Sequence, residues 1–90
     1  MVYLITYDIN TAVKDYSSLY AEIKNLSGDY QHPLESVWLI STNTLDQVSI
    51  YKRLRPLMSD KDYLLIARFS NAYFGWLSNS VWEWLKNREI

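Results

Sequence analysis

The amino-acid sequence predicts an α+β fold: a four-stranded antiparallel sheet with two helices on one face and an extra C-terminal helix. Three observations lead to this prediction. β-prone apolar runs alternate with segments in which apolar residues recur every three or four positions. Only two Gly and two Pro occur, so regular elements should fill most of the chain. The length of 90 residues fits one domain, 1–90, with a core at 1–70 and a C-terminal extension at 71–90.

The first predicted strand, residues 2–7, carries apolar side chains on both faces, which is typical of a central strand. Asp8 ends this strand, and residues 9–14 form a polar loop. Asp15 is predicted to cap the following helix, because its carboxylate can accept hydrogen bonds from the free amides of the first turn. Gly28 stands where a left-handed C-cap is expected. The apolar stripe of this helix consists of Tyr16, Leu19, Tyr20, Ile23 and Leu26.

A short strand is predicted at residues 29–33. It should lie at the edge of the sheet, because Pro33 has no backbone N–H to donate to a neighbouring strand. Residues 34–35 form the next turn, and residues 36–42 form a strand with alternating faces.

The second helix is predicted between a capping box and a proline. Thr44 and Gln47 have the spacing of a capping box. Pro56 disfavours helical geometry at the residue before it, so the helix should end near Arg55. The inward stripe of this helix is predicted to consist of Val48, Tyr51 and Leu54.

The last core strand is predicted at residues 63–69, and Ser80 and Glu83 fit a capping box at the start of a C-terminal helix. The first six elements therefore have the βαββαβ order of the ferredoxin-like fold. Right-handed crossovers place both core helices on one sheet face. The other face is also apolar, so the C-terminal helix or a second copy must cover it. We expect a homodimer.

The composition argues against several classes of protein. Nine Lys and Arg against ten Asp and Glu give a formal charge of −1, which argues against a domain that holds nucleic acid mainly by neutralising phosphates. The chain has no cysteine, so it has neither disulfides nor thiolate metal sites. No apolar run approaches the ~20 residues of a membrane span, and the N-terminus does not resemble a signal peptide. We expect a cytoplasmic protein that does not enter a membrane.

The predicted topology gathers polar residues at one edge of the sheet. The end of the first strand lies near the starts of its two antiparallel neighbours, which brings Asp8 towards Glu35 and Ser36 on one side and residues 60–62 on the other. Asn10 extends from the same end. Such oxygen ligands suit Mg²⁺ or Mn²⁺, and such an ion can activate water and neutralise a phosphodiester. The alternative is that Asp8 only caps the loop and the others are solvated turn residues.

Basic residues and the single histidine give further candidates. Lys14, Arg53 and Arg55 are the candidates for binding nucleic acid or a nucleotide. The two arginines have an alternative role at a solvated helix end, where they interact favourably with the helix dipole. His32 has the chemistry of a general base, or it is a plain surface or interface histidine.

Two segments resemble a known family. The start Val2-Tyr-Leu-Ile-Thr-Tyr-Asp-Ile-Asn10 resembles the first strand of the small ferredoxin-like CRISPR-associated adaptation subunit, which partners the adaptation integrase. Glu35-Ser-Val-Trp38 is similar to the start of that family's third strand. VapD-type toxins share the fold and a strand-end aspartate. A closer similarity is to SinR-like bacterial and phage hypothetical proteins, through 7–10, 15–16, 19–20 and 36–40.

This resemblance implies a homodimer in which the strand-end aspartates of two protomers approach one another, linked to metal-dependent nuclease activity. Asp8 matches that aspartate, and Ser36 matches a position near it. The resulting hypothesis is a Mg²⁺- or Mn²⁺-dependent phosphodiesterase acting on RNA or DNA, endoribonuclease-like, or a nucleic-acid-binding protein. One alternative is a non-catalytic dimeric module for a small nucleotide or a protein partner, acting in host–phage conflict. Another is a scaffold dimer whose apolar face binds a protein.

Overall fold

A computed structural model of the protein describes residues 1–10 and 15–88. The strands form one antiparallel sheet in the order β2-β3-β1-β4. This α+β arrangement, with a helix after β1, another after β3 and a third at the C-terminus, confirms the fold class that the sequence predicts. The elements are β1 (Val2–Asp8), α1 (Ser17–Asn25), β2 (Tyr30–Leu34), β3 (Val37–Ser41), α2 (Gln47–Leu54), β4 (Tyr63–Phe69) and α3 (Asn79–Lys86).

The central strand β1 is buried on both faces, as its two apolar faces predict. Tyr3 and Ile5 pack in the larger core with side chains of α1 and α2, whereas Val2 packs with Leu39 and the apolar face of α3. The sheet is therefore covered by α1 and α2 on one face and partly by α3 on the other. None of the helices in the described part of the chain has the length and apolarity to cross a membrane.

The first helix begins two residues after its predicted cap. Its N-cap is Tyr16, whose side chain makes no capping hydrogen bond. Asp15 accepts from the N–H and the hydroxyl of Ser17 at 2.9 and 3.0 Å, and these bonds lower the pKa of Asp15. The predicted cap at Asp15 is thus wrong by one position, although its carboxylate still binds an amide of the first turn. Gly28 has φ of +73°, as expected for a residue that closes a helix.

The second helix differs from the prediction at its start and in its phase. Asp46, not Thr44, is the N-cap and accepts from the N–H of Ser49 at 2.8 Å. Val48 and Tyr51 are exposed, and the fully buried residues are Ile50 and Leu54. The predicted capping box and most of the predicted stripe are therefore wrong. Both sets of apolar residues have helical spacing, and contact with the sheet decides which set is buried.

Two prolines affect the secondary structure, one at the end of α2 and one in β2. The helix α2 ends at Leu54, as Pro56 predicts, and continues as a short 3₁₀ turn, Arg55–Leu57. The strand β2 is an edge strand, as Pro33 predicts, and its register with β3 shifts between Gln31 and Leu34. Such a bulge tolerates a residue without an N–H group.

The C-terminal helix α3 lies on the second face of the sheet. Ser78 is its N-cap, and the Ser78 hydroxyl lies 3.1 Å from that of Ser80 instead of capping the helix; the capping box predicted at Ser80 and Glu83 is wrong. Val81 and Leu85 are buried against Val2 and Leu39. The helix thus covers the part of the sheet near the start of β1.

The rest of this second face stays exposed. Tyr63 and Leu65 of β4 are 70% and 61% exposed. They pair with Asp8 and Thr6 across the β1–β4 ladder, and directly paired residues share one face of a sheet. In the segment that precedes α3, Phe74 and Trp76 are fully exposed. Exposed apolar side chains therefore lie beside the end of β1 and in the segment before α3.

Candidate functional site

Asp8 is the last residue of β1 and lies opposite Tyr63 of β4. It is exposed, and its carboxylate makes no hydrogen bond or ion pair with the residues that the structure describes. The other aspartates of the chain are each held in a contact within the protein. These are Asp15, Asp29, Asp46, Asp60 and Asp62.

A shallow cleft of about 230 Å³ lies at Asp8, on the uncovered part of the sheet. It is lined by Thr6, Tyr7, Asp8 and the start of β4, Tyr63 to Leu65. The carboxylate of Asp8 lies beside exposed side chains in this cleft, so a ligand or a second copy of the chain can reach it.

Glu35 and Ser36 lie in the turn between β2 and β3, because β3 begins at Val37. Their backbone carbonyls contact Tyr7: the Tyr7 N–H donates to Ser36 O at 3.3 Å, and the Tyr7 hydroxyl donates to Glu35 O at 3.4 Å. The turn is thereby fixed beside the residue that precedes Asp8. The described residues contribute no hydrogen bond to the side chains of Glu35 and Ser36.

Asn10 is held at the same edge by two hydrogen bonds. Its N–H donates to Oδ1 of Asp62 at 2.8 Å, and its Nδ2 donates to the carbonyl of Lys61 at 2.9 Å. These bonds join the segment after β1 to the turn before β4. The topology therefore brings Asn10 into contact with residues 61–62, as the sequence predicts.

Both carboxylate oxygens of Asp62 accept hydrogen bonds from other residues of the protomer. Besides Asn10, it accepts from the hydroxyl of Tyr16 and from the N–H of Ser59. Burial opposes ionisation of Asp62, but these hydrogen bonds outweigh it and hold the pKa of its carboxyl well below the ordinary value. Because both oxygens are already bonded, Asp62 is not a free metal ligand.

The carboxylates at this edge do not form a metal centre within one protomer. Across residues 1–10 and 15–88, no group of three or more His, Cys, Asp and Glu residues could hold a metal ion. Asp60 lies 3.5 Å from Arg55, and Asp62 is bonded as described. The donor chemistry of Asp8 suits a hard cation, but the remaining ligands would have to come from water, substrate or a second copy.

The candidate basic residues have partners of their own. Arg53 donates to Glu22 at 2.8 Å, and Arg55 pairs with Asp60 and donates to the carbonyl of Met58 at 3.3 Å. Lys14 lies outside the described residues.

An aromatic cluster surrounds Tyr7 on the α1–α2 face of the sheet, opposite the face of Asp8, and of its members only His32 is a candidate in the sequence analysis. The indole of Trp38 donates to the Tyr7 hydroxyl at 3.0 Å, and the ring of His32 stacks on Trp38 with centroids 3.8 Å apart. The Nε2 atom of His32 lies 2.8 Å from Glu35 O. Burial raises the pKa of Tyr7. The shared sheet face of Tyr7 and Trp38 is visible in the sequence, but the position of His32 depends on the β2 bulge.

Comparison with solved structures supports the fold described above. Neither the protein-family models nor the curated proteins give a match. The structure matches a crystal structure of Streptococcus pyogenes Cas2 at pH 6.5 with a TM-score of 0.56, and the two sequences are 27% identical. The match covers 80% of this chain and 89% of the Cas2 chain. The fold is Cas2-like. This confirms the resemblance to the CRISPR-associated adaptation subunit at the level of fold; the likeness to VapD-type and SinR-like proteins stays a prediction.

Proposed function

We propose that this protein acts in the cytoplasm as a homodimer that hydrolyses phosphodiester bonds of RNA or DNA, with Asp8 of each protomer binding Mg²⁺ or Mn²⁺. The observation that carries this proposal is the unpartnered carboxylate of Asp8 at the uncovered face of a Cas2-like sheet. Every other aspartate contacts a partner within one protomer, and Asp8 has none among the described residues.

The homodimer follows from the apolar surface around that carboxylate. Tyr63 and Leu65 are exposed on the same sheet face as Asp8, and Phe74 and Trp76 add two fully exposed rings. Large apolar side chains that are exposed to this degree mark association. A two-fold axis through the uncovered face pairs each surface with its own copy and brings two Asp8 residues together.

Two neighbouring carboxylates favour a cation. Like charges at short range raise each other's pKa unless a positive ion lies between them. The two Asp8 carboxylates would hold a divalent ion there, which would supply a water of lowered pKa and neutralise charge on the phosphodiester. Asn10 and the turn at Glu35 and Ser36 hold the strand end in place. Hydrolysis then adds water at phosphorus, breaks the bond to the leaving oxygen and protonates that oxygen.

The basic residues are a less direct part of the proposal. Arg53 and Arg55 would have to leave Glu22 and Asp60 before they could bind a phosphate. Lys14, which follows β1, is the remaining proposed contact to nucleic acid from the sequence analysis.

The test is cleavage of labelled RNA and DNA with Mg²⁺, with Mn²⁺ and with a chelator. Asp8→Asn should abolish metal-dependent cleavage and leave the thermal midpoint unchanged, because Asp8 makes no contact within the described protomer. Asp60→Asn is the matched control, since it also removes an exposed aspartate from this edge, and it should retain activity. Equal cleavage by wild type and Asp8→Asn would overturn the proposal and indicate a contaminating nuclease.

A second candidate function rests on a different observation. An apolar cavity of about 270 Å³ lies between the β2–β3 side of the sheet and the segment that contains Phe74 and Trp76. A non-catalytic module could hold a small ligand or a side chain of a protein partner there. A thermal-shift screen with mononucleotides and cyclic nucleotides separates the two functions: a large shift without turnover favours the module, and metal-dependent cleavage without a shift favours the enzyme.

A further inference from the structure

A second polar cleft lies at the opposite end of the sheet from Asp8. It has a volume of about 640 Å³ and is lined by Met1, Asn43, Arg68, Asn71, Tyr73, Leu85, Lys86 and Arg88. Arg68 is five residues beyond Tyr63 on β4, so a strand rise of about 3.3 Å per residue puts the two sites about 17 Å apart along the sheet. The candidate catalytic edge and this cleft are therefore separate.

The charge of this cleft is positive although the chain as a whole is slightly acidic. Three of the nine Lys and Arg residues line it, and none of the Asp and Glu residues within 1–10 and 15–88 does. The described acidic side chains of the proposed catalytic edge, including Asp8 and Asp62, lie at the other end.

Two of the three cations are uncompensated. Arg88 binds Asp29 through Nη2 at 2.6 Å and Nε at 3.1 Å, so it is fixed and largely neutralised. Arg68 and Lys86 are exposed, and neither forms a hydrogen bond or an ion pair with the described residues. Both residues line the same cleft, so an anion bound there interacts favourably with both charges.

The remaining lining groups are suited to a phosphate. The amide of Asn71 has no partner among the described residues, and Asn43 uses only its Oδ1, which accepts from the Met1 nitrogen at 2.9 Å. Both asparagines can therefore donate an N–H to an anion. Tyr73, which is 39% exposed, forms one wall of the cleft. Its ring stacks on Trp82 and packs against Phe69, with centroids 6.0 and 5.1 Å apart, and these contacts hold it in place.

We propose that this cleft binds a terminal phosphate group, carried by a free mononucleotide or by the end of a nucleic-acid strand. Arg68 and Lys86 bind the phosphate oxygens, and Asn43 and Asn71 donate further hydrogen bonds to them. The site is independent of Asp8 and does not depend on catalysis. It gives the protein a way to hold a charged ligand without an overall basic surface.

The experiment measures binding of AMP, adenosine, a 5′-phosphorylated hexathymidylate and the same oligonucleotide without phosphate, by isothermal titration calorimetry. The phosphorylated member of at least one pair should bind about tenfold more tightly than its partner. Stronger binding of AMP identifies a mononucleotide site, and stronger binding of the phosphorylated strand identifies a strand-end site. Equal binding within both pairs would overturn the proposal.

Variants locate the site. The double variant Arg68→Gln and Lys86→Gln should weaken binding about tenfold or more, whereas Lys52→Gln, which removes an exposed cation from α2, should not change it. All three side chains are exposed, so the variants should fold, and circular dichroism checks this. The titrations contain a chelator and no divalent metal, which keeps this test separate from the proposed nuclease. Unchanged binding by the double variant would refute the assignment of the cleft.

Discussion

Asp29 joins the C-terminal helix to the sheet, and its replacement by Asn tests what this contact contributes to stability. Asp29 accepts two hydrogen bonds from Arg88 and a third from the indole of Trp84 at 2.8 Å. The guanidinium carbon of Arg88 also lies 4.3 Å from the centroid of the Trp84 ring. Asp29→Asn keeps the size of the side chain and one oxygen acceptor but removes the negative charge.

The expected loss is small because water screens the pair. The side chains of Arg88 and Asp29 are 24% and 44% exposed, so the full value of roughly 1.5–3 kcal/mol for a charged hydrogen bond does not apply. We expect Asp29→Asn to lower the free energy of unfolding by about 1 kcal/mol, or about 4–8 °C in Tm for a domain of this size.

The effect should depend on pH in a defined direction. The hydrogen bonds from Arg88 lower the pKa of Asp29 and outweigh the opposing effect of burial. A carboxyl with a lowered pKa in the folded state contributes stability above its ordinary pKa, and this contribution is lost as the pH falls through the folded-state pKa. The difference in Tm between wild type and Asp29→Asn should therefore narrow below about pH 4.

The assay is thermal unfolding followed by circular dichroism at neutral pH and at about pH 3. Asp60→Asn is the control, because Asp60 is fully exposed and 3.5 Å from Arg55, and its Tm should stay close to that of wild type. If Asp29→Asn unfolds at the same temperature as wild type at neutral pH, or if the difference does not narrow in acid, the ion pair does not hold α3 as described.

Two further predictions test the phase of α2 and the proposed dimer. Ile50→Ala should lower the free energy of unfolding by about 2–5 kcal/mol because Ile50 is fully buried, whereas Val48→Ala should change it by about 0.5 kcal/mol or less; urea denaturation measures both, and equal effects would contradict the phase. Leu65→Lys should convert the dimer to monomer in sedimentation equilibrium, because it places a charge in the apolar interface, while Val48→Lys leaves the mass unchanged. A Leu65→Lys variant that stays dimeric would exclude this sheet face as the interface.

The strands could be predicted from the sequence because alternation leaves few choices. Tyr3 and Ile5 share a face, Val2 and Leu4 share the other, and a one-residue error would exchange them. The strand β4 was predicted with the bounds Tyr63–Phe69 that the structure has. The first residue of a helix is harder to predict, because several residues that can cap it occur within a few positions. Before α2, Thr44 and Asp46 are both good N-caps, and the backbone angles of the structure select Asp46.

The state of each carboxylate could not be predicted from spacing. The sequence places Asp8 and Asp62 at one edge of the sheet, but it does not show that Tyr16, from the start of another element, would bind Asp62. Side-chain partners of this kind depend on how α1 sits against the turn before β4. The cationic cleft was missed for a similar reason, since Arg68 and Lys86 are far apart in sequence and meet only when α3 packs on the sheet.

The bulge at Pro33 also limits how these molecules can join. A sheet whose two edge strands are both unpaired can add further copies at each edge and grow into a fibre, because every added copy presents another unpaired edge strand. Here the β2 side is interrupted by a proline and an irregular register, so β4 is the side better suited to strand addition. The face-to-face dimer proposed above uses neither edge strand for pairing, and the interruption of β2 keeps such dimers from joining further at that edge.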